Sequence, residues 1–136
     1  MNKNMNKNMN NLLHVIECCK QLVEFLKNKF KFKDDERVTQ LVNWFHPTKI
    51  IAGGDSAYCK NKDIIYLVLG DKQNMLFVAL HLLTTTTTKS VGHTHEFWKN
   101  FKFILLQAKE AGIYQPNPQK YGGITIDYNP YYDLSI

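Results

Sequence analysis

Two histidines flank one threonine in Gly92-His93-Thr94-His95-Glu96, and a glutamate follows them. In an extended segment alternate side chains point to one side, so His93 and His95 can face a single metal ion. Zinc accepts imidazole nitrogen, and a catalytic zinc takes three protein ligands and keeps a position for water. His81 is the third ligand in this reading, with Cys59 and Asp55 as the other candidates. Glu96 is then placed to act as general base on the metal-bound water. The chemistry would be that of a metal-dependent hydrolase, with zinc as its cofactor. No HExxH or CxxC accompanies the pair, and Thr94 as a helix cap accounts for the same residues without any metal.

The neighbouring residues suit an anion. Lys89-Ser90-Val91-Gly92-His93-Thr94 precedes a predicted helix, whose start exposes unpaired N–H groups and the positive end of its dipole. Gly92 lets backbone approach a ligand closely, Lys89 adds charge, and Ser90 and Thr94 offer hydroxyls. KSVGHT resembles the pyrophosphate loop of the GNAT acetyltransferases, Arg/Gln-x-x-Gly-x-Gly/Ala between a strand and a helix. Gly92 matches its central glycine, with Lys89 and Thr94 at the outer positions. The resemblance spans about Lys49 to Ile113 and includes the helix end LLQAKEAGI; the residues after Gly112 depart from the family. It implies a phosphate or nucleotide ligand of the acyl-CoA kind, held by Lys89, Ser90, Gly92 and Thr94.

Other stretches carry weaker signals. Lys27 to Lys33 reads KNKFKFK, interleaving lysines with Phe30 and Phe32 as a nucleic-acid surface does. The same residues also serve as the end of an amphipathic helix, where lysines suit the dipole. Gly53 to Cys59, GGDSAYC, holds a serine and a cysteine but no GxSxG elbow. Tyr121, Tyr128, Tyr131 and Tyr132 crowd the C-terminal stretch, and tyrosine is enriched at protein interfaces.

The elements that must position these residues follow from periodicity. Met1 to Asn10 reads as a polar, disordered tail, and 11–136 as one domain. Leu12, Val15, Ile16, Cys19, Leu22, Val23, Leu26 and Phe30 recur at helical spacing. Val38, Leu41, Val42 and Phe45 form a second stripe, ended by His46-Pro47 because the residue before proline avoids helical angles. Lys49 to Ala52 and Ile64 to Leu69 read as strands, Gly70 to Asn74 as a hairpin turn, and Met75 to Leu83 as the longest strand, carrying His81. Thr94 to Ala111 is helical, with Phe97, Phe101, Ile104, Leu105 and Ala108 on one face and Gly112 at its end. ITIDY, Ile124 to Tyr128, reads as an edge strand. The fold expected is α+β: a mostly antiparallel sheet with two N-terminal helices and one long helix from the C-terminal half packed on it.

Composition bounds the function. A chain of 136 residues is one domain's worth. Lysine and arginine number 17 together, Arg37 being the one arginine, and the formal charge is +5. That favours polyanions and acidic partners, though lysine is a point charge where arginine offers a bidentate fork. Cys18 and Cys19 are adjacent and Cys59 stands apart, a pattern of reduced thiols that points to the cytoplasm. No apolar run approaches a membrane span. No catalytic constellation is complete. The leading expectation is therefore a non-enzymatic accessory module without cofactor, an inhibitor or adaptor that binds a protein partner and forms a homo-oligomer such as a homodimer. Nucleic acid is the weaker partner class, and no membrane partner is expected.

Overall fold

A computed structural model describes residues 3–92 and 94–115, with side chains from residue 6 onward. The order is α1 (Lys3–Lys29), α2 (Glu36–Trp44), a 3-10 turn (Pro47–Lys49), β1 (Ile50–Ala52), β2 (Tyr58–Lys60), β3 (Ile64–Leu67), α3 (Lys72–Thr87) and α4 (His95–Glu110). The fold is α+β, with a small sheet and four helices among the described residues. ITIDY, the four C-terminal tyrosines and His93 lie outside the described residues.

The predicted stripe of α1 is buried: Leu12, Val15, Cys19, Leu22, Val23 and Leu26 all enter the core. The helix starts at Lys3, in the stretch expected as a tail. Asparagine is a poor helix former, but Met and Lys are good ones, and adding turns to an existing helix incurs no second nucleation cost. Asp35 caps α2 by accepting from the N–H groups of Arg37 and Val38 at 2.9 and 3.4 Å, and α2 ends before Pro47 as expected.

The largest correction concerns residues 70–88. Met75 to Leu83 is not a strand, and Gly70 to Asn74 is not a hairpin. Met75 to Leu83 lies within α3, and Gly70 to Asn74 leads into it, with Asp71 capping the helix start by accepting from the N–H groups of Gln73 and Asn74, each at 3.1 Å. Met75, Leu76, Phe77, Ala79, Leu80, Leu82 and Leu83 are buried, and a narrow stripe of Asn74, Val78, His81 and Thr85 stays partly exposed. It packs on α1, α2, α4 and β3, so the stripe left to solvent is too narrow to reveal a helical period. The threonine run continues the helix to Thr87. Thr84, Thr86, Thr87 and Thr88 are buried, and their hydroxyls donate to main-chain carbonyls three or four residues back, which satisfies them internally.

With that segment helical, the sheet has three strands in the order β1-β3-β2. It is mixed, not mostly antiparallel: β1 runs parallel to β3, and β2 runs antiparallel to it. Ile50, Ile65 and Leu67 point into the core. Ile51, Tyr66 and Tyr58 share the opposite face, in register across the three strands. Gly53 leaves β1 where a Cβ would lie 3.1 Å from Tyr66 Cβ, so this close approach favours glycine. Among the described residues no helix is long and apolar enough to cross a membrane.

Candidate functional site

The loop between α3 and α4 holds most of the residues singled out in the sequence. It joins two helices, so the strand–loop–helix setting of the acetyltransferase pyrophosphate loop is absent. Thr94 caps α4, its hydroxyl accepting from Phe97 N–H at 3.2 Å. Glu96 is the second residue of α4 and reaches back to Ser90. It accepts the Ser90 N–H at 2.9 Å and the Ser90 hydroxyl at 2.8 Å. Ser90 Oγ also lies 2.6 Å from Thr94 Oγ1. These bonds, the main-chain one first, hold the Glu96 carboxyl below its ordinary range. A carboxylate so stabilised is a weaker base than a free one. The anion at the Ser90 amide is thus the chain's own.

Two lysines frame the loop. Lys89 pairs with Glu36 of α2 at 3.1 Å, at the surface. Lys62 approaches from the β2–β3 hairpin, and its ammonium donates to the carbonyls of Thr88, Lys89 and Ser90 at 2.5, 3.4 and 3.1 Å. Asn61 and Lys62 both have φ of 54°. Asp63 N–H closes the turn onto the Lys60 carbonyl at 2.9 Å, the geometry of a primed hairpin turn. A lysine in the left-handed region is strained by about 1 kcal/mol. Here it places a cation where α3 ends and its carbonyls concentrate negative charge.

An open polar cleft of about 720 Å³ lies between the start of α2 and the start of α4. Asp34, Asp35, Glu36 and Glu96 line it with Arg37, Lys89 and Lys99. Several of these charges already have partners. Arg37 binds Asp35 at 2.9 Å and lies 3.7 Å from the Phe103 ring centroid. The bond from the Arg37 side chain is the chief reason the Asp35 carboxyl titrates below its usual range. At the back of the cleft Asn100, 6% exposed, donates to the Thr88 hydroxyl at 3.1 Å.

His81 lies on α3, where its ring packs against Phe97, Phe101 and Trp98 of α4 at centroid distances of 4.8, 5.1 and 6.3 Å. His95 is exposed at the first residue of α4. Among the described residues no three His, Cys, Asp or Glu side chains are grouped as metal ligands. His81 and Cys59 line a second cleft, of about 490 Å³, with Ala57, Tyr58, Phe77, Val78, Leu82 and Thr85. It runs beside β2. Burial raises the Cys59 thiol above its ordinary value, which suits a neutral side chain rather than a nucleophile.

No family model matches this chain, and no curated protein or solved structure is significantly similar to it.

The geometry also brings forward residues that spacing alone did not mark. Lys62 lies 26 residues before Thr88, and nothing local connects them. The Asn61-Lys62-Asp63 turn between two short strands was the available signal. Tyr58 is 46% exposed and stacks on Tyr66 with centroids 4.6 Å apart. Ile51 and Val68 are exposed near them. An outward sheet face with aromatic and β-branched residues becomes visible only once the register is known.

Proposed function

We propose that this chain is a non-enzymatic binding module that works by protein contact in the cytoplasm, and that its partner adds an extended segment to the free edge of β2. The observation that carries the reading is the position of β2. It pairs on one side with β3 and has no strand on its other side among the described residues. Such an edge offers a row of main-chain donors and acceptors to an incoming strand. Beside it lies the cleft lined by Phe77, Val78 and Leu82, which suits alternate side chains of an extended peptide. Tyr58, exposed on the same strand, adds a broad ring with a polar tip, as interfaces favour.

The test is a selection of displayed peptides against the full chain, followed by hydrogen exchange of the bound complex. Expected is slowed exchange at Tyr58–Lys60 and loss of binding in Tyr58→Asp. Binding that leaves those amides unprotected would sink this reading. A second copy of the chain as partner would appear as the same protection rising with protein concentration.

The metal-hydrolase alternative, with His93, His95 and His81 around zinc and Glu96 as base, is tested by elemental analysis of untagged protein. Stoichiometric metal lost in His93→Ala/His95→Ala would favour it over the contact module. The Ser90–Glu96 bonds favour the contact module, since they occupy the side chain that this alternative needs as a base.

A further inference from the structure

The KNKFKFK stretch separates in the fold into an inward and an outward half. Phe30 turns in, edge-on to Phe103 of α4 at 5.8 Å. Phe32 turns out and is 93% exposed, in the turn that joins α1 to α2. Lys31 Nζ lies 5.5 Å from the Phe32 ring centroid, and Lys27 and Lys33 are exposed close by in the chain. The ion pairs of the described residues engage Lys29, Arg37, Lys49 and Lys89 but none of these three lysines. The acidic residues that follow are largely matched, Asp35 by Arg37 and Glu36 by Lys89, and among the described residues Asp34 and, three residues before Lys27 on α1, Glu24 are the carboxylates near the turn that enter no ion pair. The turn therefore presents one accessible aromatic face among unmatched positive charges.

We propose that this turn binds single-stranded nucleic acid, with a base stacked on Phe32 and phosphates held by Lys27, Lys31 and Lys33. Every base has a π-face, so one ring flanked by cations takes a strand without sequence preference. A single strand fits better than the other polyanions. Bases of a duplex are stacked on each other and do not offer a face to Phe32. A flat anionic bilayer would meet Asp34 together with the lysines, and interfacial binding draws on a wider apolar face than a single ring. A flexible strand can follow the lysines and bypass the carboxylate. Arginine plays no part here, because Arg37 is held by Asp35 and Phe103, so phosphate contact without base readout is expected. This surface is independent of the β2 edge.

The test is fluorescence anisotropy of a labelled oligo-dT of about 20 nucleotides with the full chain, across a salt series. Binding at low salt is expected, weaker by about fivefold to a hundredfold in Phe32→Ala. Lys27→Gln/Lys31→Gln/Lys33→Gln should make the negative slope of log K against log salt shallower by about 2. All these side chains are at the surface, so both variants should melt with the wild type. Three results would each overturn the proposal: no binding at low salt, equal binding by Phe32→Ala, or Phe32-dependent binding to phosphatidylserine vesicles in place of oligo-dT.

Discussion

Glu96 accepts both the main-chain N–H and the hydroxyl of Ser90, at 2.9 and 2.8 Å. The bonds span six residues and close the α3–α4 loop on itself. They place a carboxylate where an external anion would otherwise sit, at residues whose types suggest an anion cradle. In Glu96→Gln the bonds weaken with the charge, because a charged acceptor is the stronger one. Hydrogen exchange should show a faster Ser90 amide with little change in global Tm. An unchanged Ser90 amide would mean that the loop is held by other contacts.

The same pair sets a pH dependence. The folded-state pKa of Glu96 is depressed, so its contribution is present above the ordinary carboxylate range and is lost as pH falls through the folded value. Asp35, held down first by its Arg37 bond, behaves alike at the start of α2. Loop and α2 protection measured by exchange should be flat from neutral to mildly acidic pH and fall below the usual carboxylate range. A fall centred near neutrality would point to a histidine instead.

Asp71 starts the central helix, and its cap is separable from the core. Asp71→Ala removes the acceptor for the Gln73 and Asn74 N–H groups and should cost about 1 kcal/mol in urea unfolding. The m-value should stay constant, since no buried surface changes. A loss below a few tenths of that would mean that water replaces the cap without penalty.

Lys62 combines strain and anchorage, and two substitutions separate them. Lys62→Ala loses the ammonium but keeps a Cβ at φ of 54°, while Lys62→Gly loses the ammonium and relieves the backbone. Both should melt below wild type, with alanine the lower by about 1 kcal/mol. If alanine and glycine melt together, the hairpin turn has relaxed out of the left-handed region.

Phe101 is fully buried and touches Phe77, Phe97, Trp98 and His81. Phe101→Ala should cost about 3–5 kcal/mol, a large share of the stability of a domain this size. Loss of cooperative unfolding is the expected readout by circular dichroism. A variant that melts within a few degrees of wild type would mean that α4 repacks over the gap.

Sequence alone determined the elements that have one wet face and one dry one. α1, α2 and α4 lie at the edge of the core, and their apolar residues recur every three or four positions because the other side meets water. Their caps were legible for the same local reason: Thr94 and the residues before Pro47 act on neighbours in the chain. The central helix was not legible. MLFVALHLL is apolar on every side, and strand and helix bury such a run equally well. GDKQN serves a turn or a helix start with the same residues. Only packing against α1, α2, α4 and β3 decides for the helix, and that choice takes a strand from the sheet and makes it small and mixed. The site divides along the same line. Residue types and spacing marked Lys89 to Thr94 as a polar stretch leading into a helix that carries Glu96. That Glu96 would answer Ser90, that Lys62 would arrive from a distant hairpin, and that His81 would turn to the aromatic face of α4 depend on contacts between elements, which no local pattern encodes.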